Sequence, residues 1–169
     1  MKYSFITEQI INTILYLEPF DLNNNINNII LLRLKQKFEG LCYKEGIIIN
    51  DTIELIKRKI GKVETYNNKS IIKYEITFRA KIISPSEGEE LEIYINNINK
   101  MGIIGYIKVN EYNITKSENT PLIIIIPLEY INKDISDFNI NDKINIIILG
   151  KRIKLNSDKI QLVGKLKNE

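Results

Sequence analysis

The 169-residue chain reads as an α+β protein: a small N-terminal α/β domain, one main helix packed on an antiparallel sheet, followed by a C-terminal five-stranded β-barrel. Three observations predict this. A single clear stripe of helical period runs through Ile26, Ile30, Leu34 and Phe38, and β-type patterns dominate the chain beyond Gly40. A strand-like alternation of unusual length covers Lys73 to Ile83. Turn chemistry at Ser84-Pro85-Ser86-Glu87-Gly88 then divides the chain into residues 1–83 and 84–169.

Hydrophobic residues make up 44% and charged residues 27%, enough apolar material for a packed core and too much for general disorder. The net charge of +3 is far below that of a dedicated DNA binder. One cysteine, Cys42, leaves no partner for an internal disulfide, as expected of a reducing compartment. The first nine residues interrupt any signal-peptide core with polar side chains, and the longest apolar run, Leu122 to Ile126, is too short to span a bilayer. Ile, Asn and Lys dominate, residues with A/T-rich codons, so a lone Asn or Lys carries little information.

Residues 2–17 satisfy two templates. Phe5, Ile6, Ile10 and Ile14 fit a helical stripe, whereas Tyr3, Phe5, Ile11, Leu15 and Leu17 fit alternation. Glu18-Pro19 ends the element. The main helix comes next, with Asp21 or Asn23 as its cap, Ile29 widening the stripe and Gly40 as its stop. Gly46 then opens Ile47-Ile48-Ile49, Asn50-Asp51 turns, and an extended run from Thr52 to Ile60 ends at Gly61. Tyr66 to Lys69 is a loop. In the long strand, Tyr74, Ile76, Phe78, Ala80 and Ile82 face one way and Lys73, Glu75, Thr77, Arg79 and Lys81 the other.

Beyond the turn, five strands are expected: Glu90–Ile98, Ile103–Asn110, Leu122–Ile126, Lys143–Arg152 and Lys159–Leu166. The connection Pro127 to Asp142, suited to a short helix or irregular turn, separates the third from the fourth. That spacing is the pattern of an OB-type barrel; a β-sandwich fragment is the alternative.

The usual tools of catalysis are missing. There is no histidine to act as general base or metal ligand, one cysteine cannot build a zinc site, and no phosphate-cradling glycine motif occurs. Glu87, Glu89 and Glu90 cluster on the turn, where a solvated loop outweighs a carboxylate pair or Mg²⁺ site. Cys42 reads as a small buried hydrophobe before a nucleophile. No catalytic residue, metal or cofactor is assigned, and a binding module remains. OB barrels hold single-stranded nucleic acid against basic and aromatic side chains. Tyr94 alternates out of phase with Leu91, Ile93 and Ile95; Tyr106 and Lys108 share a face near Lys100; Lys151, Arg152 and Lys154 close the candidate RNA-binding set. The competing reading makes the tyrosines half-buried rim residues and the lysines ordinary surface.

Several landmarks occur together in one family. Tyr74-Glu75-Ile76-Thr77-Phe78-Arg79-Ala80-Lys81-Ile82-Ile83-Ser84-Pro85, then Gly88-Glu89 and Ile98-Asn99-Lys100-Met101-Gly102, resemble the interdomain strand, turn and first barrel hairpin of the stalk subunit of multisubunit DNA-directed RNA polymerases (the seventh subunit of RNA polymerase II and its archaeal counterpart). Glu39-Gly40 with Cys42, Gly61-Lys62-Val63 and Ile148 to Ile153 are similar to further landmarks in the same order. Ser4 to Thr7 and Leu17 to Leu22 look more like the small stalk-like subunit of poxvirus-type polymerases. With the A/T bias, that suggests a large cytoplasmic DNA virus, hence virion and host cytoplasm; for a cellular eukaryotic subunit the nucleus is implied.

The resemblance implies a tip domain that docks on the polymerase core and an OB domain that meets nascent single-stranded RNA. Carried over by position, Pro19, Phe20, Asp21 and Leu22 with Gly61 and Lys62 form the docking tip, Phe20 alternatively stapling the helix start. Implied partners are the largest and second-largest polymerase subunits, the small omega-like subunit and the family's second stalk subunit, with no membrane. A free-standing OB-fold RNA-binding protein of translation or RNA decay is the competing function.

Overall fold

A computed structural model describes residues 3–22 and 25–167. The architecture is α+β, with one α-helix, a six-stranded antiparallel sheet and a closed five-stranded mixed barrel. Strands β1 (Ile6–Leu17), β2 (Cys42–Tyr43), β3 (Gly46–Ile48), β4 (Glu54–Arg58), β5 (Lys62–Tyr66) and β6 (Lys69–Ile83) form the sheet, and α1 (Ile26–Phe38) comes after β1.

The two templates at the N-terminus resolve in favour of the strand. β1 pairs with β6 over twelve consecutive residues, from Ile6↔Ile83 to Leu17↔Ile72. Its odd residues Ile11, Leu15 and Leu17 are buried with Ile30, Leu34 and Phe38 of α1. Phe78 of β6 sits under that stripe, 5.3 Å from the Phe38 ring. Every second residue of β6 from Ile72 to Ile82 is buried, as the alternation required. β6 is longer than expected, at fifteen residues, because the Asn67-Asn68 turn returns β5 directly alongside its start.

Three local expectations need correction. Asp21 does not cap α1: the N-cap is Asn25, without a side-chain cap bond, while Asp21 pairs with Arg33 at 3.1 Å. Asn23 lies outside the described residues. The run from Thr52 to Ile60 is strand only from Glu54 to Arg58, and Gly61 opens a further strand, β5, instead of ending the sheet. The second barrel strand stops at Tyr106, not Asn110. Val109 N–H donates to Ile114 O (2.6 Å) and the Ile114 N–H returns the bond to Val109 O, which bends the chain into a 3₁₀ turn at Asn110–Tyr112.

The barrel strands are β7 (Glu90–Asn99), β8 (Gly102–Tyr106), β9 (Leu122–Pro127), β10 (Lys143–Arg152) and β11 (Ile160–Leu166). Neighbours run β7-β8-β9-β11-β10 and close from β10 back to β7, with β9 and β11 parallel. This topology is consistent with an OB-type barrel and differs from the sandwich alternative, which has two open sheets. The long link from β9 to β10 carries two 3₁₀ turns, Leu128–Tyr130 and Ile135–Asp137.

The segment between β6 and β7 is tied down on both sides. Ser84 N–H donates to Phe5 O (2.8 Å), Ser84 Oγ to Glu45 O (2.9 Å), Lys151 Nζ to Pro85 O (3.0 Å) and Gly88 N–H to Ile148 O (2.8 Å). Phe5, Cys42, Ile47, Ile49 and Ile83 are buried in the same cluster as the barrel core. Sheet and barrel therefore pack on shared apolar side chains, with no flexible tether between them.

Candidate nucleic-acid and docking surfaces

On the barrel, β7 and β8 pair in the register Tyr94↔Tyr106, and their rings lie 5.9 Å apart. Lys108 reaches back over this pair, its Nζ 4.0 Å from the Tyr94 ring centroid and 5.6 Å from that of Tyr106. An ammonium over two ring faces is held by the negative face of each π-system, which fixes its position without neutralising its charge. Tyr106 is only 6% exposed, and its hydroxyl donates to Asn141 Oδ1 (3.4 Å), so its ring supports Lys108 and offers no surface to a base. Tyr94 is half-exposed. Beside it Lys143 is paired in register with Tyr94 and bridges to Glu92 at 2.8 Å; the bond to that carboxylate raises the Lys143 pKa.

The other candidate RNA residues stand elsewhere. Lys100 occupies the exposed turn at the far end of the β7–β8 hairpin, five residues of β7 beyond the register of Tyr94 when counted to Asn99↔Gly102, or about 16 Å at ~3.3 Å per residue. The expected proximity of Lys100 to Tyr106 and Lys108 is thus incorrect, because antiparallel pairing sends the two to opposite hairpin ends. Lys151 and Arg152 end β10, eight or more residues past Lys143, and Lys154 lies just after them on the exposed loop toward Ser157. That loop touches the sheet, with Ser157 O accepting from Cys42 N–H (2.7 Å). Cys42 itself is buried, and desolvation raises its thiol pKa from 9.0, the environment of an inert thiol.

The docking candidates do come together. Leu17 and Val63 flank Ile72 of β6 from opposite sides, and Tyr16 and Lys62 flank Lys73. The 3₁₀ turn Pro19–Asp21 and the Gly61–Lys62 entry to β5 therefore share the end of the sheet remote from the barrel. That end is eleven residues of β6 from Ile83, roughly 35 Å along the strand at ~3.3 Å per residue. Phe20 is 79% exposed and Ile60 87%, with Val63, Tyr66 and Leu22 also exposed. The sequence pattern points to Phe20 and Leu22 but not to Ile60, Val63 and Tyr66, since β5 has no buried face to betray it. Gly61 is required by packing: a Cβ there would lie 2.7 Å from the Tyr74 ring.

A concavity of about 730 Å³ lies between the sheet and the barrel loop around Tyr112. Its rim carries Glu8, Asp51, Glu54, Glu111, Glu118 and Asp158 against Arg79, Lys81 and Lys159, a balance that repels a polyanion. Among the described residues no group of three or more His, Cys, Asp or Glu side chains could hold a metal ion, and no helix is long and apolar enough to cross a membrane. No protein-family profile matches the chain, and no curated protein matches it significantly.

Proposed function

We propose that the chain is a non-catalytic stalk subunit of a DNA-directed RNA polymerase, docking by the remote end of its sheet and meeting nascent RNA with its barrel. The observation that carries this reading is the separation of two unlike surfaces on one stiff body. At one end Phe20, Ile60 and Val63 expose apolar area, the kind of anchor that fills a pocket on a partner. Some 35 Å along β6 begins a barrel whose Tyr94–Lys108 pair suits a stacked base and its phosphate. A rod of this kind spaces an RNA contact from a docking point, which a free-standing RNA-binding protein does not need.

Purification of the tagged chain from its native source is expected to bring down the two large polymerase subunits. A variant carrying Phe20→Asp and Val63→Asp should fold, since both side chains are exposed, and should lose them. Recovery of the chain alone overturns the reading. Recovery of ribosomal or RNA-decay components in place of polymerase favours the free-standing RNA-binding alternative.

A further inference from the structure

β1 lies at the edge of the six-stranded sheet, with β6 as its one strand neighbour. Because Ser84 N–H donates to Phe5 O, the alternation of an antiparallel ladder turns the backbone groups of the odd-numbered β1 residues toward β6. Glu8, Ile10, Asn12, Ile14 and Tyr16 therefore direct their N–H and C=O groups outward, along about 27 Å of strand at ~3.4 Å per residue. Among the described residues no other backbone group takes them up. Soluble sheets blunt such an edge with lysine, proline or a bulge. β1 has none of these: its register with β6 is unbroken and Glu8 is its only charge. On the sheet face away from α1 the same residues expose Ile10 at 67% and Tyr16 at 55%.

We propose that this edge pairs antiparallel with the same edge of a second copy of the chain, across a two-fold axis at Asn12. The sequence fits itself in that register. Ile10 meets Ile14 of the second copy on both sides of the axis, Asn12 meets Asn12, and Glu8 lies beside Tyr16. Moving the axis one residue either way sets an isoleucine against Asn12. Five residue pairs close about ten backbone hydrogen bonds and join the two sheets into one, with both α1 helices on the same face. A foreign strand would satisfy the backbone equally, but the self-matching side chains select a second copy.

Sedimentation equilibrium of the full chain over a dilution series is expected to show a monomer–dimer equilibrium. Ile14→Pro deletes an outward N–H while sparing the β6 ladder, and should leave a folded monomer by circular dichroism. Asn12→Cys should form a covalent dimer under mild oxidation, since residues facing across the axis sit ~5.5 Å apart at Cα. Glu8→Cys, off the axis, should not, and the native Cys42 is buried away from the edge. If Ile14→Pro fails to fold, the two cysteine variants still decide. A wild-type chain that stays monomeric, or cross-linking that is equal at both positions, overturns the proposal and leaves the edge to a strand of another protein.

Discussion

At the scale of single residues, the barrel surface turns on Lys108. Its ammonium rests 4.0 Å over Tyr94 and stays unpaired with any carboxylate among the described residues, whereas Lys143 next door is bound to Glu92 and Lys151 donates to Pro85 O. These three lysines should therefore behave differently toward single-stranded RNA. Lys108→Ala should weaken binding and reduce the salt slope by about one phosphate contact, and Tyr94→Ala should cost ~1–3 kcal/mol with the slope retained. Lys151→Ala should leave both unchanged. Fluorescence anisotropy across a salt series reads all three, and equal effects from Lys108 and Lys151 would remove the assignment. The outward side of Tyr94 was legible in the sequence because β7 alternates from Glu90 to Ile95. The burial of Tyr106 was not: a bulge between Ile95 and Asn97 shifts the register, and β8 is buried on nearly every residue. The bond from Lys151 to Pro85 was equally invisible, since closure of β10 against the turn creates it.

Among the elements, β6 organises the sheet, flanked by β1 on one edge and by β3, β4 and β5 in succession on the other. Its alternation was readable because one face is buried throughout, and α1 was readable because its stripe repeats every four residues. β1 was undecidable locally. Ile6, Ile10 and Ile14 supply a helical spacing, and only the twelve pairs offered by β6 select the strand. β5 went unseen because all five of its residues are exposed; its one signal was Asn67-Asn68, both at positive φ (49° and 61°), the geometry of a two-residue hairpin turn. If β6 is the organiser, its centre should be the costliest place to cut. Phe78, fully buried beneath Phe38, predicts a loss of ~3–5 kcal/mol for Phe78→Ala, read from urea unfolding. An exposed control on the same strand, Ser70→Ala, should remain within about 0.5 kcal/mol; equal losses at both would show that β6 is peripheral to stability.

For the whole molecule, the question is whether sheet and barrel unfold together. The barrel was legible from five strands and one long connection, but the sharing of its core with the first half was not, because Phe5 is parted from Cys42, Ile47 and Ile49 by the whole of β1 and α1, and only tertiary packing brings them to the barrel. Those side chains belong to the sheet-bearing half yet are buried with Leu91, Ile93 and Ile124 of the barrel. Pulling the halves apart would expose them and break the bonds of Cys42 N–H to Ser157 O and Ser84 N–H to Phe5 O. At ~1.5–3 kcal/mol per exposed large apolar side chain, separation costs as much as a small domain's entire stability. One cooperative transition is therefore expected. Cys42 reports on it directly, since its thiol becomes accessible only when the joint opens. The urea midpoint for Cys42 labelling should coincide with that for loss of far-ultraviolet circular dichroism. Labelling that precedes the loss of secondary structure would mean the two halves part while still folded, and the stiffness on which the spacing of the proposed docking and RNA surfaces depends would be lost with it.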